Sequence, residues 1–314
     1  MAHAPAQANE RLLVFGEFFL DLVFYDLPQV PKMGEEVKTR RFATFPGGGV
    51  ATTAMVAAEL GTPTSVITRV GEDARMNPAW QKLVQSGVSV EACSFDKYLP
   101  TALTVCASYD SDRMMITQDA INRNLDKLLA MPGAKKQLRR AKHLHVACAL
   151  WPLSPWKLTI RRLKGRGLAL SADLGWNPRL WQSQQWLPLL KHFDFVFPNE
   201  QEARAMTDEK SVEKAACKLG RWAPMPVVKL GRDGSLAVRD GRIIRIKSLR
   251  VRAVDATGAG DAFNGGFLHA HLSGWPLEDC LRAGNVCGAL ATTGPGGSCR
   301  IPSSRKLKEL MRKL

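Results

Sequence analysis

An acid in the stretch Val254-Asp255-Ala256-Thr257-Gly258-Ala259-Gly260-Asp261-Ala262-Phe263-Asn264-Gly265-Gly266-Phe267 is out of place unless it has a chemical task. An apolar and basic run, Ile243 to Val254, leads into this segment. An apolar helical pattern (Ala262, Phe263, Phe267, Leu268, Leu272) follows it, so the order predicts strand, tight glycine turn and helix. Gly258 and Gly260, flanking Ala259, let backbone N–H groups converge on one point, and the helix N-terminus adds the positive end of its dipole there. Such a turn binds a negatively charged oxygen. Beside a bound phosphate the Asp261 carboxylate would repel, unless it takes the proton from a hydroxyl that then attacks phosphorus. The segment therefore predicts phosphoryl transfer to an alcohol, with Asp261 as a mere helix cap the alternative.

Several familiar phosphate-binding motifs are excluded. The chain has no GxxxxGK[ST] loop, no protein-kinase motif set and no GxSxG elbow. Gly258-Ala-Gly260 lacks the third glycine of a dinucleotide fingerprint, and Ser211-Val-Glu-Lys214 is an isolated SxxK in a polar helix. His143-Leu-His145 and His269-Ala-His271 have i, i+2 spacing. On a helix that spacing points the rings apart, so the second pair is a poor metal site, and the first reads as strand packing.

The elements that must position this turn alternate along the chain. Short apolar strands are predicted at Leu12–Phe15, Thr64–Val70, Leu144–Leu150, Ala169–Asp173, Phe193–Phe197 and Val227–Leu230. Helical patterns lie between them at Ala51–Leu60, Pro78–Ser86, Ser154–Lys164 and Asn199–Met206. This rhythm predicts an α/β fold: a doubly wound, mostly parallel sheet with helices on both faces and ligands beyond the strands' carboxyl ends. Residues 23–45 and 95–118 are β-leaning without long helices, and Leu103–Tyr109 alternates. They are expected to form a small β lid on a single domain spanning residues 1–314.

The chain has 314 residues, 45% hydrophobic and 23% charged, as expected of an ordinary globular protein. No uncharged apolar run reaches the length of a transmembrane helix, and the polar start, Met1 to Arg11, lacks the apolar centre of a signal peptide. The seven cysteines form no CxxC pair, which fits buried thiols and a cytoplasmic location. The net charge of +15 gathers at Lys135–Arg140, Arg161–Arg166 and Arg305–Lys313. No nucleic-acid-binding motif accompanies it, so solvated helix faces that help attract an anionic cosubstrate are the expectation, with neither nucleic acid nor membrane as partner.

Two segments carry a family resemblance. Gly47-Gly48-Gly49-Val50-Ala51-Thr52-Thr53-Ala54 and Asp255 to Phe263 are similar to the two signatures of the ribokinase-like (PfkB) carbohydrate kinases. Gly16-Glu17 with Asp21, Val70-Gly71-Glu72-Asp73, Asn199-Glu200-Gln201-Glu202, Val228-Lys229-Leu230-Gly231 with Gly234, and Asn285 with Gly294–Gly297 resemble further family motifs in the same order. The resemblance implies an ATP-dependent kinase acting on a primary hydroxyl of a sugar or sugar derivative. Asp261 would be the general base, and Gly258, Ala259 and Gly260 the anion hole. Asp21, Gly47, Gly48, Gly49 and Thr52 would face the acceptor, with Arg113 a lid-side contact. Asn199, Lys229, Gly231, Gly234, Thr257, Gly258, Gly260 and Asn285 would face ATP. Glu202 would act on Mg²⁺ through water, although Asn-x-x-Glu also spells a plain helix cap. Asp255 and the Thr257 carbonyl could hold K⁺, against which the nearby Arg300 argues. A homodimer formed through the lid is one arrangement open to such a chain.

Departures cluster on the acceptor side. Thr52 stands where the family usually has asparagine, Gly49 where it often has lysine and Met76 where it has glycine. In Asp173-Leu-Gly175-Trp176-Asn177-Pro178-Arg179, Gly175 and Asn177 replace an asparagine and an arginine, with Arg179 two residues on. The donor half is intact, while the acceptor is open. A nucleoside kinase of the same fold is the alternative, followed by a catalytically silent sugar- or nucleotide-binding protein.

Overall fold

The computed structural model describes residues 11–109, 112–175, 177, 181, 185–297 and 300–314. The chain opens with β1 (Arg11–Gly16), then β2 (Phe19–Tyr25), β3 (Arg41–Gly47), α1 (Gly49–Glu59), β4 (Thr64–Ile67) and β5 (Arg69–Gly71). Next come α2 (Pro78–Gln85), β6 (Ser94–Asp96), β7 (Leu103–Tyr109), β8 (Asp112–Gln118), α3 (Pro132–Arg140), β9 (Ala141–Ala147), α4 (Leu153–Gly165) and β10 (Ala169–Ala172). The last part holds β11 (Phe195–Val196), α5 (Glu200–Thr207), α6 (Val212–Leu219), β12 (Val227–Lys229), β13 (Ser235–Arg239) and β14 (Arg242–Ile246). Three helices close it: α7 (Ala259–Leu272), α8 (Leu277–Ala291) and α9 (Ser304–Met311).

Leu12, Leu13, Val14 and Phe15 are all apolar and at most 1% exposed, so β1 has no solvent face and must be an interior strand. It pairs in parallel with β4 on one side and β9 on the other, and the parallel sheet continues through β10 to β11. Single parallel bridges, Val196 to Pro226 and Asn199 to Lys229, join it to the antiparallel set β12-β13-β14. Leu13 and Phe15 pack with α3 to α6 on one face, and Leu12 and Val14 pack with α1, α2 and α7 to α9 on the other. This is the doubly wound, mostly parallel α/β architecture. A second sheet, ordered β3-β2-β7-β8, stands over the carboxyl ends of the strands around a small cluster of Val23, Phe45 and Cys106.

Two segments differ from the periodicity. The apolar stretch Thr64–Val70 breaks into β4 and β5, because the Thr68 carbonyl accepts from Ser94 N–H and β5 turns to pair with β6. The predicted strand from Ile243 to Val254 ends at Ile246. Asn285 Nδ2 donates to the carbonyls of Ile246 (3.1 Å) and Lys247 (3.2 Å), which draws the chain off the sheet towards α8.

His143 and His145 lie on β9 and are fully buried. Both rings bond the single hydroxyl of Ser171 on β10, at 2.7 and 2.8 Å, so the pair is strand packing with a polar clasp. Burial holds the His145 imidazole down to about 4. Between roughly pH 6.5 and that value the unfolded chain takes up a proton that the folded ring refuses, so stability falls as pH falls. Urea titrations of wild type and His145→Gln should show wild type losing its advantage by about 1.4 kcal/mol per pH unit below pH 6.5. An advantage unchanged from pH 7.5 to pH 5 would contradict this.

Candidate active site

The turn before α7 is built by its glycines. Gly258, the cap residue, has φ +68°, the left-handed region. A Cβ there would fall 2.7 Å from the Gly297 Cα, so the turn and the 294–297 loop touch backbone to backbone. Asp255 clasps the two: Oδ1 accepts from Thr257 N–H (2.8 Å) and Oγ1 (2.7 Å), and Oδ2 accepts from Gly296 N–H (3.0 Å). Thr52 on α1 is buried, and its Oγ1 lies 3.4 Å from the Gly258 Cβ position, so it packs behind the turn.

Asp261, in the first turn of α7, has its backbone carbonyl tied to Thr53 Oγ1 at 3.1 Å. Its carboxylate lies against α1, where a Cβ on Gly49 would sit 2.9 Å from Oδ1; a longer side chain at 49 would displace the acid. Burial first, then the charge of Asp173, push its carboxyl up to about 7, with Lys229 opposing. Asp21 on β2 lies across Gly47, where a Cβ would fall 2.3 Å from the carboxylate. Burial and the charges of Asp261 and Asp255 push Asp21 up to about 7 as well. Gly48 packs on the Glu17 carbonyl, and the Glu17 carboxyl is pushed up to about 7 by burial and by Asp119. Asp21 and Asp261, both half-buried, thus flank the start of α1 with their carboxyls lifted toward neutrality.

The other side of Asp261 is a cavity of about 660 Å³ lined by Lys229, Gly231, Gly234, Gly260, Phe263 and Asn285, with residues of the 248–253 segment. Lys229, at the end of β12, reaches Gly260: its Nζ is 3.1 Å from where a Cβ would stand. Asn285 lines this cavity while its amide N–H groups hold the 246–247 backbone. Asn199 and Glu202 form a reciprocal capping box at the start of α5, with both bonds at 2.8 Å. The box uses only one carboxylate oxygen of Glu202, a residue 5% exposed whose carboxyl burial and Asp173 raise. Among the described residues no three His, Cys, Asp or Glu side chains gather around one point. A divalent cation here would take Glu202 as one hard oxygen ligand and complete its shell with phosphate and water, which suits Mg²⁺.

The structure thus brings together Asp21, Gly47, Gly49 and Asp261 on one side, and Gly258, Gly260, Lys229, Gly231, Gly234 and Asn285 on the other. Arg113 is on β8 of the second sheet, opposite Ser108, but its side chain lies outside the described residues, as does Arg179. Two residues without a role in the motif reading join the site: Asp173 accepts at Oδ2 from both Lys229 Nζ and Asn264 Nδ2. Their sequence signal was positional, an acid just past a strand's carboxyl end and an amide one turn after Asp261.

A glycine turn with an acid on the helix it opens, beside a lysine-lined cavity, can be compared with known proteins. Residues 9–303 match the pfkB family carbohydrate kinases. The chain belongs to this family. The pfkB protein is 26% identical to a ribokinase of Haemophilus influenzae over 310 residues, covering 96% of this chain and 99% of the relative. It is also 26% identical to a nucleoside kinase of Methanothermobacter thermautotrophicus over 300 residues, with 94% of each covered. The crystal structure of an E. coli protein assigned as a ribokinase II, in complex with ATP and Mg²⁺, superposes with a TM-score of 0.82 at 21% identity, covering 97% of this chain and 100% of that one. The chain is thus a kinase of the carbohydrate-kinase type. None of its described helices is long and apolar enough to cross a membrane.

Proposed function

We propose that the enzyme transfers the γ-phosphoryl group of ATP to a primary hydroxyl of a sugar or sugar derivative. One observation carries this reading: Asp261, half-buried and raised to about 7, stands between a carboxylate-and-glycine acceptor side and a lysine-lined donor cavity. Asp261 takes the hydroxyl proton as the bond to phosphorus forms. The amides of residues 258–260 meet the charge on the transferring group. Asp21 accepts hydrogen bonds from acceptor hydroxyls, and Gly47 and Gly49 keep the backbone low enough for the acceptor to reach both acids. ATP lies along Lys229 to Gly234 and Asn285; the ATP and Mg²⁺ in the E. coli neighbour support this choice of donor. Mg²⁺ bound through Glu202 would offset charge on the phosphates.

With Asp21 and Asp261 both carboxylates, a neutral hydroxyl-rich acceptor fits better than a sugar acid, which they would repel. A nucleoside is the second reading. The lid-side cavity of about 610 Å³ is lined by Tyr25 and Tyr109, faces on which a base could stack, and a nucleoside kinase is among the relatives. An ATP-coupled screen of hexoses, pentoses, keto-deoxy acids and nucleosides tests both. Turnover of a pentose or hexose is the expected result, and turnover of nucleosides alone would favour the second reading. With the acceptor found, Asp21→Asn should raise its KM on the order of 10-fold or more and leave the KM for ATP within about twofold. Equal effects on both substrates would remove Asp21 from the acceptor side.

A further inference from the structure

Lys229, which lines the donor cavity, is ion-paired to Asp173, a residue the phosphoryl-transfer scheme has not used. Asp173 and Lys229 have side chains only 10% and 12% exposed. A buried lysine with no partner would lose its charge, whereas this one is held charged by the Asp173 carboxylate. The pair is also aimed. Asp173 Oδ2 takes the ammonium from one side and Asn264 Nδ2, at 2.7 Å, from α7. Asn264 is three residues after Asp261 on the same helix, so the oxygen ties the lysine to the helix that carries the proposed base. The Nζ is left at Gly260, 3.1 Å from its Cβ position, at the edge of the anion turn. Any side chain at 260 would press on the ammonium.

We propose that Asp173 is a positioning residue, which with Asn264 fixes the Lys229 ammonium at the Gly258–Gly260 turn. There the cation bears on the phosphoryl group in flight, not on the distal part of the nucleotide. The inference rests on the kinase mechanism above and adds to it a side-chain cation whose place is set before ATP arrives. A flexible lysine would have to be ordered during the reaction, while one already held gives its full electrostatic effect as charge develops. Lys229 then contributes to the transition state more than to ground-state binding.

The test separates these two contributions. Mg²⁺·ADP binding is titrated calorimetrically with and without fluoroaluminate, a planar mimic of the transferring group, and kcat and KM for ATP are measured alongside. Lys229→Met should lose on the order of 10²-fold in kcat and in the affinity that fluoroaluminate adds, with ADP affinity alone within about threefold. Asp173→Asn should lose on the order of 10-fold in the same two quantities, Asp173→Glu should recover part of it, and the double variant should be no worse than Lys229→Met. Variants that bind the mimic like wild type, or a double variant whose losses multiply, overturn the positioning role. Wild type gaining no affinity from fluoroaluminate overturns the anion-hole assignment itself. Should Asp173→Asn fail to fold by circular dichroism, Asn264→Ala loosens the same oxygen, and its kcat loss against an unchanged KM for ATP decides the matter.

Discussion

Asp261→Asn will lower kcat on the order of 10³–10⁴-fold while ATP affinity stays within about twofold, because the amide keeps the shape and loses the proton acceptor. The same variant will be more stable than wild type at pH 8. The folded Asp261 carboxyl titrates near 7 against 3.8 for the free group, so the folded chain binds more protons between those values. Stability therefore falls as pH rises through the window, and above about pH 7 the full penalty of a half-buried charge is present. Asparagine removes that penalty, for a gain on the order of 1–2 kcal/mol, or a few degrees in Tm. The gain should vanish below pH 4, where both forms of the acid are neutral. In wild type, kcat/KM should rise with pH through about 7 as the base loses its proton. Calorimetric melts at pH 4 and pH 8, with a pH–rate profile, check all of this. Near-normal turnover by the variant would remove Asp261 from the chemistry, and equal Tm gains at both pH values would remove the electrostatic account.

Gly258→Ala should do comparable damage by a different route. At φ +68° an alanine is strained by about 1 kcal/mol, and its methyl would stand 2.7 Å from a backbone carbon of Gly297 that cannot swing away. The turn must open, pulling the converging N–H groups apart and loosening the Asp255 clasp. We expect kcat/KM for ATP to fall on the order of 10²-fold or more, and Tm to fall by several degrees. Gly241→Ala in the β13–β14 turn is the control. Its φ is +74° and nothing lies within 4 Å, so it should show only the backbone strain and near-normal kinetics. If both alanines behave alike, the contact with Gly297 has no part in the site.

Much of this architecture is written in short-range patterns. The runs at Leu12–Phe15 and Leu144–Ala147, buried on both faces, could only be interior parallel strands, and helices between them force a doubly wound sheet. Patterns misled where a distant side chain intervened. Ile243–Val254 has the composition of one long strand, but it leaves the sheet after Ile246, where the amide of Asn285, 39 residues away, holds the Ile246 and Lys247 carbonyls. Asn199-x-x-Glu202 had two meanings, and the capping box shows the helix-terminus one without consuming both carboxylate oxygens. Asp173 carried no spacing signal toward Lys229, because 56 residues separate them and only the tertiary structure brings the end of β12 to the end of β10, two strand positions away with β11 between.

The turn at the centre of the candidate site was thus legible in the sequence alone. A glycine turn, a helix start and an acid form one contiguous segment whose geometry follows from local backbone preference. The surroundings of that turn were decided by tertiary structure. Asp21 meets Gly47 through lid-strand pairing, Gly49 meets Asp261 through the packing of α1 on α7, and Lys229 meets Asp173 across the sheet. Carboxylates separated by hundreds of residues become neighbours only once the core is buried. It is that burial, absent from any segment by itself, that lifts Glu17, Asp21 and Asp261 toward neutrality together.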